Sequence, residues 1–235
     1  MNNIKRQLFL AGGGNKSDSR VIDQLFSLAL DKGKSLVYIP NAMESRPYSE
    51  CLKWLESVFR LLGIDRFVMI TDLKTVNLDD SLVGGIYIGG GNTIKLLREV
   101  VQLHFDSWLK KLFAQGVPIY GGSAGAIILG QTILTAPEAE KLSEKESHGL
   151  NLIDGFSAYC HYDGQRNLQS LCGKLKTKLV AIPEKAGVYI SDQVLSAVGT
   201  EPISIFTDSK RLCLKPEEKL NLKVSKIEKL RPLKL

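Results

Sequence analysis

Tyr120-Gly121-Gly122-Ser123-Ala124-Gly125-Ala126 is the stretch of this 235-residue chain whose residue types most directly suggest chemistry. It contains G-x-S-x-G, the pattern of a serine held on a sharp turn between a strand and a helix. Only glycine and alanine surround the serine, because a backbone at positive φ pressed against its neighbours has no room for larger side chains. The run Val117-Pro118-Ile119-Tyr120 reads as the strand, and the short helix over 124–130 directs its free N–H groups toward developing negative charge. A tight turn selected for packing alone is the competing reading of the same residues.

A serine nucleophile needs a base, and the chain has three histidines. His104 falls between two helical segments and reads as a surface or cap residue. His148 sits in the charged loop Glu144-Lys145-Glu146-Ser147-His148. His161 instead ends the apolar run Phe156-Ser157-Ala158-Tyr159-Cys160, a strand that brings it to a sheet edge, so it is the chosen base. Cys160 beside it is a second, weaker nucleophile candidate. The third group must be a carboxylate that fixes the imidazole tautomer. Glu138, Glu140, Glu144, Glu146, Asp154 and Asp163 all qualify, and spacing does not choose among them. For the oxyanion, the N–H of Ala124 is one natural donor, and the glycine turn at 89–91 can bring a second.

The elements that must position these groups alternate over the first two thirds of the chain. Apolar strands are predicted at 7–11, 35–39, 66–71, 84–88 and 117–121. Amphipathic helices are predicted between them, one after Ser17 and Asp18, then at 48–62, 93–101 and 106–115. That alternation predicts an α/β fold with a mostly parallel central sheet covered by helices on both faces. Ligands bind such sheets beyond the carboxyl ends of the strands, where Gly12-Gly13-Gly14, Gly89-Gly90-Gly91 and Ser123 all fall. After about residue 175 short β-like pieces remain, at 178–182, 187–190, 193–198, 203–207, 211–214 and 220–224. They read as C-terminal antiparallel β additions to one domain spanning 1–235, since no linker precedes them.

Composition limits the function classes. The chain is 44% hydrophobic and 24% charged, with no apolar stretch near the roughly 20 residues of a membrane span. A cytoplasmic location is expected. The four cysteines form no C-x-x-C pair, and no histidine or cysteine spacing suggests a metal, so no cofactor is expected. The net charge of +6 owes much to Arg211, Lys215, Lys219, Lys223, Lys226, Lys229, Arg231 and Lys234. These are spread out and mixed with Glu217, Glu218 and Glu228, which fits a solvated surface and not a nucleic-acid footprint.

At Gly89-Gly90-Gly91-Asn92-Thr93, at Gly121-Gly122-Ser123-Ala124-Gly125-Ala126 and over 149–161, the sequence resembles the peptidase E and cyanophycinase family of serine peptidases. That family shares its fold with class I glutamine amidotransferases, and the resemblance covers most of residues 5–200. It implies a Ser–His–acid triad on Ser123, His161 and Glu138, the acid lying about fifteen residues past the serine. It also implies oxyanion donors at Gly91 and Ala124, with Gly90, Asn92 and Arg166 as substrate-binding candidates. The implied activity is hydrolysis of short peptides, in the manner of a dipeptidase acting on an acidic N-terminal residue, through an acyl-enzyme.

Two departures bear on that specificity. The segment after His161, Tyr162-Asp163-Gly164-Gln165-Arg166, is compressed, and Gly122 stands where the dipeptidases often carry a bulky residue. The expected partner is a small peptide, with no nucleic acid and no membrane, and a homodimer is allowed. The alternatives are an esterase using the same serine, or a nucleotide-binding protein using Gly12-Gly13-Gly14-Asn15-Lys16-Ser17, which lacks the phosphate-loop spacing.

Overall fold

The computed structural model describes residues 4–223. Lys226, Lys229, Arg231, Lys234 and the end of the predicted strand at Val224 lie outside the described residues. Strands β1 (Gln7–Ala11), β2 (Ser35–Ile39), β3 (Phe67–Met69), β4 (Val83–Ile88) and β5 (Ile119–Gly122) pair in parallel, in the order β3-β2-β4-β5-β1. Between them run α1 (Arg20–Ala29), α2 (Tyr48–Phe59), α3 (Thr93–Gln102) and α4 (Phe105–Ala114), and α5 (Ala124–Ile128) follows β5.

The predicted helix over 48–62 ends early because its last turn tightens into a 3-10 turn, Arg60–Leu62, before Gly63 at φ 79°. The first helix begins at Arg20 and not directly after Asp18, whose carboxylate accepts the N–H of Asn15 and shapes the preceding turn.

Side-chain alternation along each strand sorts the core by face. Leu8, Leu10, Val37, Ile39, Ile86, Ile88 and Ile119 point to one side and pack with α3, α4 and α5. Phe9, Leu36, Tyr38, Tyr87 and Tyr120 point to the other, under α1 and α2. One face is therefore aliphatic and the other largely aromatic.

The predicted C-terminal β pieces form, but they divide. β8 (Ala186–Ser191), β9 (Val194–Gly199) and β12 (Lys219–Asn221) extend the central sheet antiparallel beyond β1. The remaining pieces build a second sheet. In it β6 (Phe156–Tyr159) pairs parallel with β7 (Lys178–Ala181), and β10 (Ile203–Phe206) and β11 (Arg211–Leu214) add antiparallel. A short helix, α6 (Gln169–Leu175), connects β6 to β7. Among the described residues no helix is long and apolar enough to cross a membrane.

Phe26 of α1 is the centre of the aromatic face, fully buried, with ring centroids 5.1 Å from Phe9, 5.8 Å from Phe59 and 5.2 Å from Tyr120. Replacing it with alanine leaves a cavity that such a packed cluster closes only in part. Phe26→Ala is expected to lower the unfolding free energy by about 3–5 kcal/mol, measured by urea denaturation. A loss under about 1 kcal/mol would contradict the packing described.

Candidate active site

β5 lies between β4 and β1, so the three connections that leave their carboxyl ends are neighbours. These are the turn at 89–91, the turn at 123 and the turn at 12–14, and the central sheet therefore converges three sequence-distant loops on one spot. Ser123 occupies the middle one at φ 49° and ψ −111°, a conformation costly for a non-glycine residue. Its N–H donates to the Ala11 carbonyl at 3.1 Å and its carbonyl accepts from Ile127 at 3.0 Å, so both its backbone groups are tied down.

His161 comes from the second sheet, just past β6, and is also at positive φ, 52°. Its N–H donates to the Gly12 carbonyl at 2.9 Å, which locks the histidine backbone to the turn after β1. The side chains meet: Ser123 Oγ and His161 Nε2 are 2.8 Å apart. On the far side of the ring, Nδ1 is 2.9 Å from Glu184 Oε1. With the imidazole proton on Nδ1, the serine donates to Nε2 and the ring donates to the carboxylate. The ring and the carboxylate are each about half exposed (51% and 52%), so substrate can reach them.

The carboxylate on Nδ1 is thus Glu184 and not Glu138, on which the resemblance had placed the acid. Glu138 points elsewhere. Its Oε1 accepts the N–H of Thr93 at 2.9 Å, at the first turn of α3. Burial opposes ionisation there, yet the Thr93 N–H and other local donors outweigh it and hold the carboxyl below its ordinary value. Its effect on the site is indirect, through the chain at 89–93.

Other residues singled out in the sequence also lie apart. Asn92 caps α3, its Oδ1 accepting the Lys95 N–H at 3.0 Å, while its amide nitrogen donates to Glu44. Arg166 donates to the Tyr159 hydroxyl at 3.0 Å and does not line the cleft beside Ser123. Gly90 does line it, and a Cβ there would stand 3.2 Å from that of Ser123. Cys160 is buried, its thiol pushed up to about 12 by burial, so it stays a protonated packing group.

Two glycines make the convergence possible. Gly91 adopts φ 137°, and a Cβ on it would sit 2.2 Å from the Ala42 carbonyl oxygen. Among the described residues, the amides of Gly90, Gly91 and Ala124 make no backbone hydrogen bond outside helices and strands, which leaves them open to a ligand oxygen. A Cβ on Gly13, at φ 113°, would lie 2.1 Å from His161 Cε1. The first glycine run is the bed on which the imidazole lies, which accounts for it without a phosphate.

Below Ser123, Tyr120 donates to Asp23 Oδ1 at 2.8 Å and Ser19 donates to Oδ2 at 2.8 Å. Asp23 is 1% exposed. Burial raises its carboxyl to about 6 from an ordinary 3.8, although both hydrogen bonds act to lower it.

The sequence pattern of peptidase family S51 matches residues 8–198, and the chain belongs to that family. Peptidase E of Shewanella sp. (strain W3-18-1) is 29% identical over 144 residues, 56% of this chain and 61% of the relative, so the match spans under two thirds of that protein's length. Peptidase E of Pasteurella multocida (strain Pm70) is 24% identical over 230 residues, covering 91% of this chain and 97% of the relative. Among solved structures, a peptidase from an acI-B1 Actinobacterium superposes with a TM-score of 0.72 at 21% identity, covering 92% of this chain and 96% of that one. A putative peptidase E from Listeria monocytogenes EGD-e gives 0.61 at 23% identity, covering 83% and 98%. These two likenesses establish the fold.

Glu184 is the functional candidate that sequence reading missed. It follows β7, the parallel neighbour of β6, so it leaves the sheet at the same edge as His161.

The Asp23 shift gives a pH expectation. A carboxyl that holds its proton more tightly when folded favours the folded state below about pH 4. That contribution is lost as pH rises through 6. Asp23→Asn should therefore gain stability relative to wild type between pH 4 and pH 7, by about 3 kcal/mol from the linkage relation. Urea midpoints of both proteins across that range check it; parallel curves would refute it.

Proposed function

We propose that this chain is a serine peptidase that hydrolyses short peptides through an acyl-enzyme, with Ser123 as nucleophile. The observation that carries the reading is the continuous relay from Ser123 Oγ to His161 Nε2 at 2.8 Å and from Nδ1 to Glu184 at 2.9 Å. Membership of family S51 and the peptidase E relatives support it.

In the first half-reaction Ser123 Oγ attacks the substrate carbonyl carbon while His161 Nε2 takes the hydroxyl proton. The imidazolium that forms is stabilised by Glu184, which also keeps the ring in the tautomer that can accept. The N–H groups of Gly91 and Ala124 are the proposed donors to the tetrahedral oxyanion. Collapse breaks the C–N bond, and His161 returns the proton to the leaving amine. Water then repeats the sequence: it gives a proton to His161, attacks the acyl carbon and releases the acid, and the proton goes back to Ser123 Oγ.

Two measurements test this. Ser123→Ala should lower kcat on dipeptides by at least about a thousandfold, and labelling of the wild type by a fluorophosphonate should map to Ser123. Full activity in the variant would end the proposal.

A third measurement separates the two carboxylates. Glu184→Gln should lower kcat by about a hundredfold or more, because a neutral amide neither stabilises imidazolium nor enforces the tautomer. Glu138→Gln should cost under about tenfold, since Glu138 acts only through the Thr93 N–H. Equal losses in the two variants would remove Glu184 from its assigned role.

A further inference from the structure

A cleft of about 540 Å³ opens beside Ser123, rimmed by Gly90, Gly122 and His161. It runs down the aromatic face of the sheet toward α2, walled by Tyr38, Trp54 and Tyr87 with Tyr120 beneath. The rings form one packed group: Tyr87 stacks on Tyr120 at 4.4 Å, and meets Tyr38 at 5.8 Å and Trp54 at 6.1 Å edge to face. Two exposed cations, Lys16 and Arg46, belong to the lining, and no aspartate or glutamate does. Lys16 donates to the carbonyl and hydroxyl of Ser57, and neither cation forms a salt bridge among the described residues.

The absent side chain at Gly122 keeps this space open. A Cβ there would already lie 3.3 Å from the Tyr87 hydroxyl, so any larger residue would stand between the nucleophile and the tyrosines.

We propose that this cleft receives the side chain of the residue whose carbonyl Ser123 attacks, and that it selects large aromatic side chains while rejecting cationic ones. The inference rests on the peptidase reading above and adds its substrate class. Three features carry it. The cleft starts at Ser123 and at the glycine turn bearing one of the two proposed oxyanion donors, where the substituent on the acyl carbon must lie.

Its volume and ring-lined walls suit a side chain that itself buries roughly 150–250 Å² and gains from edge-to-face contact. Lys16 and Arg46, in a lining that contains no aspartate or glutamate, disfavour a side-chain ammonium or guanidinium there.

The test is kcat/KM for X-Ala dipeptides with X as Phe, Ala, Asp or Lys. The expected order places Phe-Ala at least about tenfold above Ala-Ala and Asp-Ala, with Lys-Ala lowest. Trp54 is half-buried on α2, so Trp54→Ala should fold. It should lower the ratio of Phe-Ala to Ala-Ala by about tenfold, mainly through KM. Arg46→Glu, on an exposed position, should raise Lys-Ala relative to Phe-Ala several-fold.

Cleavage of these dipeptides with Asp-Ala or Lys-Ala preferred, or with both ratios unmoved in the variants, overturns the pocket assignment and leaves the Ser123 mechanism standing. Failure to cleave any of them, together with a Ser123 that resists fluorophosphonate, overturns both.

Discussion

The site depends on one constraint: two non-glycine residues in left-handed backbone conformations must face each other at 2.8 Å across the junction of two sheets. Each such residue costs on the order of 1–3 kcal/mol, which persists only where the surroundings over-determine it. Ser123 is fixed by the Ala11 carbonyl and the Ile127 N–H, and His161 by the Gly12 carbonyl. All three anchors come from regular elements or from the residue directly after one. Ala11 ends β1, Ile127 lies in α5, and Gly12 continues β1. The strain is thus held by β1, its continuation and α5, which suits groups that must be in position before a ligand arrives.

Glycine and carboxylate positions around the pair follow from that constraint. The imidazole can lie over the chain at Gly13 only because no Cβ occupies the space, and the turn at Gly91 can fold against Ala42 for the same reason. Glu138 contributes at one remove, by holding the Thr93 N–H and with it the chain that follows Gly91. Its depressed pKa reflects that structural bond. A shifted carboxyl near an active site is therefore not by itself a sign of catalysis, and here geometry decides against it.

The parts legible in the sequence were those encoded locally. The small residues around Ser123, the strand ahead of it and the glycine runs at strand ends each advertise a backbone demand within five or six residues. The alternation of apolar strands with amphipathic helices fixed the parallel sheet for similar reasons, and even the short strands after residue 175 formed near their predicted positions.

Glu184 was hidden because its relation to His161 is not local. It arises from the parallel pairing of β6 with β7, Tyr159 opposite Ala181, which carries both chains out of the same edge. The pairing is hard to see in the sequence, where short strands in succession suggest antiparallel neighbours and only α6, the crossover between β6 and β7, permits a parallel pair. Pro183-Glu184 directly after an apolar strand was the available clue.

That pairing also bears on how Ser123 and His161 meet precisely although they follow strands of different sheets. Ser123 directly follows β5 of the central sheet, while His161 and Glu184 follow β6 and β7 of the second. Leu10, Ile88 and Val188 of the first sheet share one continuous buried cluster with Phe156, Ala158, Val180, Ile182 and Ile205 of the second or its flanks. A core packed at crystal-like density resists relative sliding, since moving one sheet by an ångström would open voids along the whole contact. The Gly12 carbonyl then needs to make only one cross-sheet hydrogen bond, to the His161 N–H, to set the last fraction of the alignment. Division of Ser123, His161 and Glu184 between two sheets places their side chains at the junction, where an open cleft beside Ser123 coexists with a rigid support beneath it.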